Sequence, residues 1–252
     1  AIAKLSAKPI QFILNTTFRP DHTGGNAKLQ MAGADPSVTG SFFSMQFQGA
    51  GRGATIISQL NTQSRMVAQK LPAPPSDTFA EDRRRKYYNG EAVEAFPMPN
   101  ATTDGDSIVH FRRADVIVAG DIFTTTEYPH IDTKNGGSVQ GEINALNFIL
   151  DRTIYVHDED GGTMIIPGHG RITDEWDVAE YRDMLVIIRD RVQAMINFVK
   201  EQETCRQVLL LRFFGEQEPP PCGKCDNCKR KSNAQKAKQK LDLEDEIVAV
   251  LK

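Results

Sequence analysis

"NTTFRPDHTGGN", residues 15–26, decides how the larger part of this chain is read. The apolar run "FIL" just before it is strand-like, and Gly24 and Gly25 close a loop in which Asp21 and His22 stand side by side. A carboxylate beside an imidazole is a pair of metal donors, whereas Thr17 and Arg19 on the same loop are not normal zinc ligands. Taken alone, the pair has a plainer reading: a hydrogen-bonded loop histidine followed by glycines that serve a turn. The rest of the chain decides between the two.

Outward from this loop, the runs "IQFIL", "TIIS", "VEAFPM", "SIVHF", "DVIVAG" and "TMIIP" alternate with turn residues, and "VQGEINALNFILDRT" at 139–153 has helical periodicity. This pattern is that of an α/β domain with mixed sheets. Gly33–Gly53 and Pro72–Ser76 read as surface loops. "RPDHTGG", "AGDIF" and "PGHG" sit at strand ends, where groups far apart in sequence converge on one composite site. From Asp174 to Phe214 there is neither Gly nor Pro, and Tyr181, Leu185, Ile188, Val192, Met195 and Val199 recur at spacings of four and three. That stripe predicts one long helix or two in close succession, with the apolar face used for packing and any domain boundary inside helix near Met195.

Three ordered motifs, "NTTFRPDHTGGN", "NATTDGDSIVHFRRADVIVAGDIF" at 100–123 and "MIIPGHGRITD" at 164–174, resemble the metallo-β-lactamase superfamily from about Ala1 to Met195. The resemblance implies an αββα sandwich and metal-dependent hydrolysis by an activated water. The first-metal histidines of that family fall on Thr17, Arg19 and Thr102. The second-metal ligands fall on Asp21, His22 and His169, with the bridging carboxylate on Asp121, and all four are present. The implied catalytic carboxylates are Asp21 and Asp121. The implied site is half of a dinuclear centre, suited to one zinc, iron or manganese ion acting on a small-molecule substrate of unknown identity. Arg19, permanently charged, is expected to offset Asp21 and Asp121 or to hold an anionic group of the substrate. His110, His130 and His157 match no ligand position and read as structural or surface histidines. Only "AIAKLSAKPIQFILNT" precedes the first loop, so an incomplete first sheet is expected.

All four cysteines, Cys205, Cys222, Cys225 and Cys228, lie in one short segment with the spacing C-x16-C-x2-C-x2-C. Two overlapping C-x2-C steps bring three thiolates onto one turn and the fourth arrives from a preceding helix, the arrangement of a closed, structural zinc site. Disulfide or redox use is the plainer alternative. With "CRQVLLLRFFGE" and "PCGKCDNC", the segment from about Ala194 to Cys228 resembles the zinc-binding subdomain of RecQ-type DNA helicases. No G-x-x-x-x-G-K-[ST] phosphate loop is present, so no helicase motor resides in this chain. "KRKSNAQKAKQK" at 229–240 carries six basic residues and no acidic one, and Lys229, Arg230 and Lys231 are the candidates for weak phosphate contact. A solvated linker is the alternative for that run, and "DRRRKYY" at 82–88 reads as charged surface.

The formal charge of −3 gives no overall affinity for nucleic acid, so any such affinity is local. The apolar stretches are far shorter than a membrane span, and the N-terminus lacks a secretory h-region; no membrane partner and a reducing cytoplasm are expected. A start at Ala and an apolar "EIVAVLK" end predict a fragment or trimmed chain. The expected organisation is a metallo-β-lactamase-like domain at 1–195, a small helical zinc module at 196–230, and a basic linker leading into the start of a winged-helix segment at 231–252. The rival is a non-enzymatic DNA-binding or interaction fragment in which the large domain is only scaffold.

Overall fold

The computed structural model describes residues 2–34, 53–80, 82–155 and 161–250. The chain divides into two units, Ala1–Val186 and Ile187–Lys252. The first runs α1 (Ile2–Leu5), β1 (Phe12–Asn15), α2 (Pro20–Thr23), α3 (Asn26–Ala32), β2 (Thr55–Gln59), α4 (Leu60–Ala68), β3 (Asp77–Phe79), β4 (Arg84–Tyr88), β5 (Glu91–Pro97), β6 (Ser107–Phe111), β7 (Val116–Thr124), α5 (Val139–Leu150) and β8 (Met164–His169). Helix α6 (Glu175–Lys200) carries the chain from the first unit into the second, which continues with α7 (Arg206–Phe213) and α8 (Asp226–Val250).

Two sheets make the centre of the first unit. Strands β1, β2 and β3 are parallel, and β4 to β8 form a second sheet, antiparallel until β8 joins β7 in parallel. The period-two alternation of the strands separates two cores. Val93, Ala95 and Val109 meet Ile57 and Phe79 between the sheets, while Phe96, Ile108, Ile117 and Ile165 face the other way, onto Ile143, Leu146, Ile149, Val178 and Leu185 of α5 and α6. Helices α3 and α4 contact the first sheet. The result is an αββα sandwich. Helix α5 starts where the Ser138 hydroxyl accepts the Gly141 amide at 2.9 Å. Each fully buried Ile, Leu or Phe of these cores contributes about 1.5–3 kcal/mol.

Every strand-like run of the sequence is a strand, but β3 and β4 were not anticipated. "DRRRKYY" forms β4 because its alternate residues have separate destinations: Tyr88 stacks on Phe12 with ring centroids 4.5 Å apart, while Arg85 and Tyr87 point outward. The α6 stripe packs only in part. Tyr181 and Leu185 are buried, whereas Ile188, Val192, Met195 and Val199 are 41–71% exposed, because the core cluster to which α6 contributes ends with Val186. The basic run from Lys229 to Lys240 lies on α8 rather than in an extended linker; it is rich in Ala, Gln and Lys, good helix formers, and has no Gly or Pro. His157 and residues 35–52 of the Gly33–Gly53 stretch lie outside the described residues. Among the described residues, no helix is long and apolar enough to cross a membrane.

Candidate metal centres

Two groups of donors converge among the described residues, and each has its ligand atoms within 4.8 Å of one another: Asp21, His22, Asp121 and His169 in the first unit, and the four cysteines in the second.

The first group is assembled by the sheet. Pro20 at the start of α2 turns the chain directly after β1, presenting Asp21 and His22. Asp121 comes from β7, at a register shift between Gly120 and Thr124, and His169 is the last residue of β8 beside it. Two glycines make the approach possible. Gly120 has φ 58°, a conformation that favours glycine, and a side chain on Gly168 would come within 2.8 Å of Asp121 Oδ1.

Asp121 divides its two oxygens. Oδ2 accepts from Arg19 Nη1 at 2.7 Å, and Oδ1 lies 2.7 Å from His22 Nε2 and 3.6 Å from His169 Nε2. His22 Nε2 and Asp121 Oδ1 are both buried, yet their mutual geometry is not that of a hydrogen bond. Two buried atoms 2.7 Å apart whose geometry is not that of a hydrogen bond are placed to share a cation. His169 Nε2 also sits 3.1 Å from Asp21 Oδ2. Burial pushes the Asp121 carboxyl up, but the facing His22 and Arg19 hold it below its ordinary value. The Asp121 carboxylate in turn raises the His22 imidazole against the opposing effect of its burial.

Thr17, Arg19 and Thr102, on which the resemblance places the first-metal histidines, have a different chemistry. Thr102 is fully buried and donates to Asp106 Oδ2 at 2.6 Å, joined by the Thr103 amide and hydroxyl. Thr17 is fully buried, and among the described residues its hydroxyl has no partner. Arg19 spans the position, its Nη2 donating to the His130 carbonyl at 2.7 Å. A cavity of about 260 Å³ opens over Arg19, Asp21, Asp121 and His169, walled by Glu127 and Tyr128. Sequence reading missed this wall, and the role of the His130 carbonyl, because a backbone oxygen has no sequence signal. It also missed Glu142 on α5, wholly buried with both oxygens unpartnered among the described residues; burial and the negative Asp106 push its carboxyl well above its ordinary value. His110 is buried 3.6 Å from Asp115, remote in pairing from the donor group.

The cysteine group fits zinc by distance. Zn–S bonds of about 2.3 Å in a tetrahedron place sulfurs about 3.8 Å apart. Cys205 Sγ lies 3.5 Å from Cys222 Sγ and 3.9 Å from Cys225 Sγ. Amide N–H groups donate to the sulfurs: Cys222 to Cys205 at 3.2 Å, Arg206 to Cys225 at 3.4 Å, and Lys224 and Cys225 to Cys222 at 3.4 Å, with Gly223 in the left-handed region at φ 68°. These donors pull Cys205 down to about 6 and lower Cys225, whereas desolvation and the neighbouring sulfurs push Cys228 up. Such a cluster is short of positive charge, and four sulfurs leave no open position. Around it, Asn227 Nδ2 donates to the Glu201 and Thr204 carbonyls and Arg206 pairs with Asp226 at 3.0 Å.

Solved structures share the fold of the first unit. A metallo-beta-lactamase from Pontibacter korlensis is similar in fold, with a TM-score of 0.53, 16% identity, and 73% of each chain covered. VMB-1, in a crystal structure at pH 5.5, gives 0.50 at 12% identity, covering 70% of this chain and 67% of that one. Residues 177–229 match the family described as RecQ zinc-binding. No curated protein matches the chain. The chain therefore joins a metallo-β-lactamase fold to a RecQ-type zinc-binding segment, with the four cysteines as the metal-binding cluster of that segment.

Proposed function

We propose that the first unit is a diverged metal-dependent hydrolase that retains half of a dinuclear site, holding one divalent metal through Asp21, His22, Asp121 and His169. The observation that carries this reading is the division of Asp121, whose Oδ2 is taken by Arg19 while Oδ1 is left among two imidazoles. An arginine in the first-metal position supplies positive charge without Lewis acidity. A metal bound by the four donors would lower the pKa of a water at the cavity. Asp121 orients the donor set, and Asp21, whose side chain is 50% exposed, is placed to take up the proton that the attacking water gives away. Arg19 lines the cavity and favours an anionic group on a small-molecule substrate. The domain limits that accompany this reading are 1–195 for the hydrolase part, 196–230 for the zinc module and 231–252 for the basic segment; the break between the two compact units falls earlier in the same helix, after Val186. Four free thiols suit a reducing cytoplasm. The likeness to RecQ zinc-binding segments supports association of the C-terminal part with nucleic acid, weakly and without sequence preference, through Lys229, Arg230 and Lys231 on α8.

The test is hydrolysis of chromogenic esters, lactams and phosphodiesters after loading with zinc, iron or manganese, comparing the natural chain with His169→Ala. Activity in the first and none in the second supports the proposal; equal rates, or no activity in either, would count against it.

A further inference from the structure

The outer end of the second sheet carries a cluster that neither metal centre uses. Glu94 on β5 is 1% exposed, and three guanidiniums converge on it: Arg83 Nη1 at 3.1 Å and Arg85 Nη2 at 2.6 Å on Oε1, and Arg112 Nη1 at 3.8 Å from Oε2. Burial pushes the Glu94 carboxyl up, but Arg85, Arg83 and Arg112 together hold it below its ordinary value, so it is ionised. One carboxylate cancels one positive charge. Among the described residues, none of the three arginines has another carboxylate within 4.0 Å, so two charges are left over. The arginine side chains are 49%, 53% and 60% exposed, so their remaining N–H groups face solvent.

A buried ion pair needs one guanidinium; three held at one carboxylate repel each other, and since only Arg85 lies on a strand, with Arg83 just before β4 and Arg112 just after β6, Glu94 is what gathers them. The cross-strand register adds an aromatic. Arg85 pairs with Glu94 and Tyr87 with Ala92, so Arg85 and Tyr87 share a face, and the Tyr87 ring is 74% exposed. Fixed guanidiniums beside an exposed ring are the elements that bind phosphates and stack a base.

We propose that this face of β4, β5 and β6 binds single-stranded nucleic acid, with Arg83, Arg85 and Arg112 on phosphates, Tyr87 stacking on a base, and Glu94 as the hub that sets the arginine spacing. The site lies wholly in the first unit and is independent of the contact proposed for α8. An acidic peptide would use the arginines but not the ring, so the ring separates the two partners.

The experiment is fluorescence anisotropy with labelled oligothymidylate and oligouridylate of about 20 nucleotides, on the full chain across a salt series. Arg85→Gln with Arg112→Gln should flatten the logarithmic salt slope by about 1.4, since each single-strand phosphate contributes about 0.7. Arg112→Gln alone removes the longest of the contacts to Glu94 and is the variant that least disturbs folding; it should flatten the slope by about half as much. Tyr87→Ala, which does not touch Glu94, should weaken binding about tenfold with the slope unchanged. In parallel, the triple variant at Lys229, Arg230 and Lys231 reports on α8 alone. If that variant abolishes binding while the arginine and Tyr87 variants change nothing, the sheet site is wrong and the α8 contact stands. If Tyr87→Ala is neutral and polyglutamate competes as well as the oligonucleotides, the face is an acidic-peptide site and the proposal is overturned.

Discussion

The two donor groups of this chain differ in how they are built. The cysteine group is local, with Cys222, Cys225 and Cys228 on one knuckle and Cys205 one helix away, and every sulfur is present. The Asp/His group is drawn from three strand-end segments, with His169 and Asp21 separated by 148 positions, and Thr17, Arg19 and Thr102 stand where the resemblance places the first-metal histidines. A closed shell of four thiolates tolerates no vacancy, because a bare sulfur cluster repels itself. A composite site can lose one side and keep the other when something else takes over the missing charge, and here Arg19 binds the oxygen of Asp121 that faces away from the imidazoles.

The largest effect expected from breaking this contrast is at the cysteines. Cys225→Ser should release the metal and unfold the second unit, since the binding free energy of a structural zinc, about 10–16 kcal/mol, is folding free energy. Metal content and protease resistance report it together, and if both are unchanged the structural-zinc assignment is wrong. The same site should respond to acid. Protons compete with the metal for the four thiolates, so metal release measured along a pH series should rise as the pH falls.

At the Asp/His site the effect is smaller and confined to the first unit. Even second-sphere changes cost metal affinity about 10–100-fold, so His169→Ala, which removes a ligand, should cost at least that much, read by competition with a chelator, while thermal unfolding of the cysteine module stays the same. The converse change sharpens the comparison. Replacing Thr17, Arg19 and Thr102 together by histidine should add a further metal per chain; failure to bind it in a folded variant would mean that Arg19 is not what closed the first position.

Smaller still is the effect at Glu142. Its folded pKa lies above the unfolded one, so its stabilising contribution is complete below the ordinary Glu range and is lost as pH rises toward the folded pKa. Glu142→Gln should therefore leave stability unchanged near pH 4 and raise it at pH 7–8, seen as a melting temperature that no longer falls between the two. A variant that melts lower at both pH values would show that the carboxylate has a partner.

Much of this was legible beforehand. The period-two runs located six of the eight strands among the described residues, and the three strand-end motifs located Asp21, His22, Asp121 and His169, because strand ends and their turn residues are written locally. Strand β4 was hidden: "RRKYY" looks like charged surface, and only the pairing of Arg85 with Glu94 across the sheet reveals why it is extended. The α6 stripe misled in the opposite sense, since helical periodicity records an apolar face and not what covers it; coverage ends at Val186. Glu142 and the His130 carbonyl were invisible, one because a helix position does not announce burial of a carboxyl, the other because backbone atoms carry no residue identity.

The most direct test of the contrast between a complete site and a half-retained one is the number of metal ions per folded chain, counted by native mass spectrometry after saturation and removal of loosely held metal. The expected result is two ions, one lost with Cys225→Ser and the other with His169→Ala. Three ions, two of them lost together on His169→Ala, would show that the first-metal position is still occupied and would contradict the role given to Arg19.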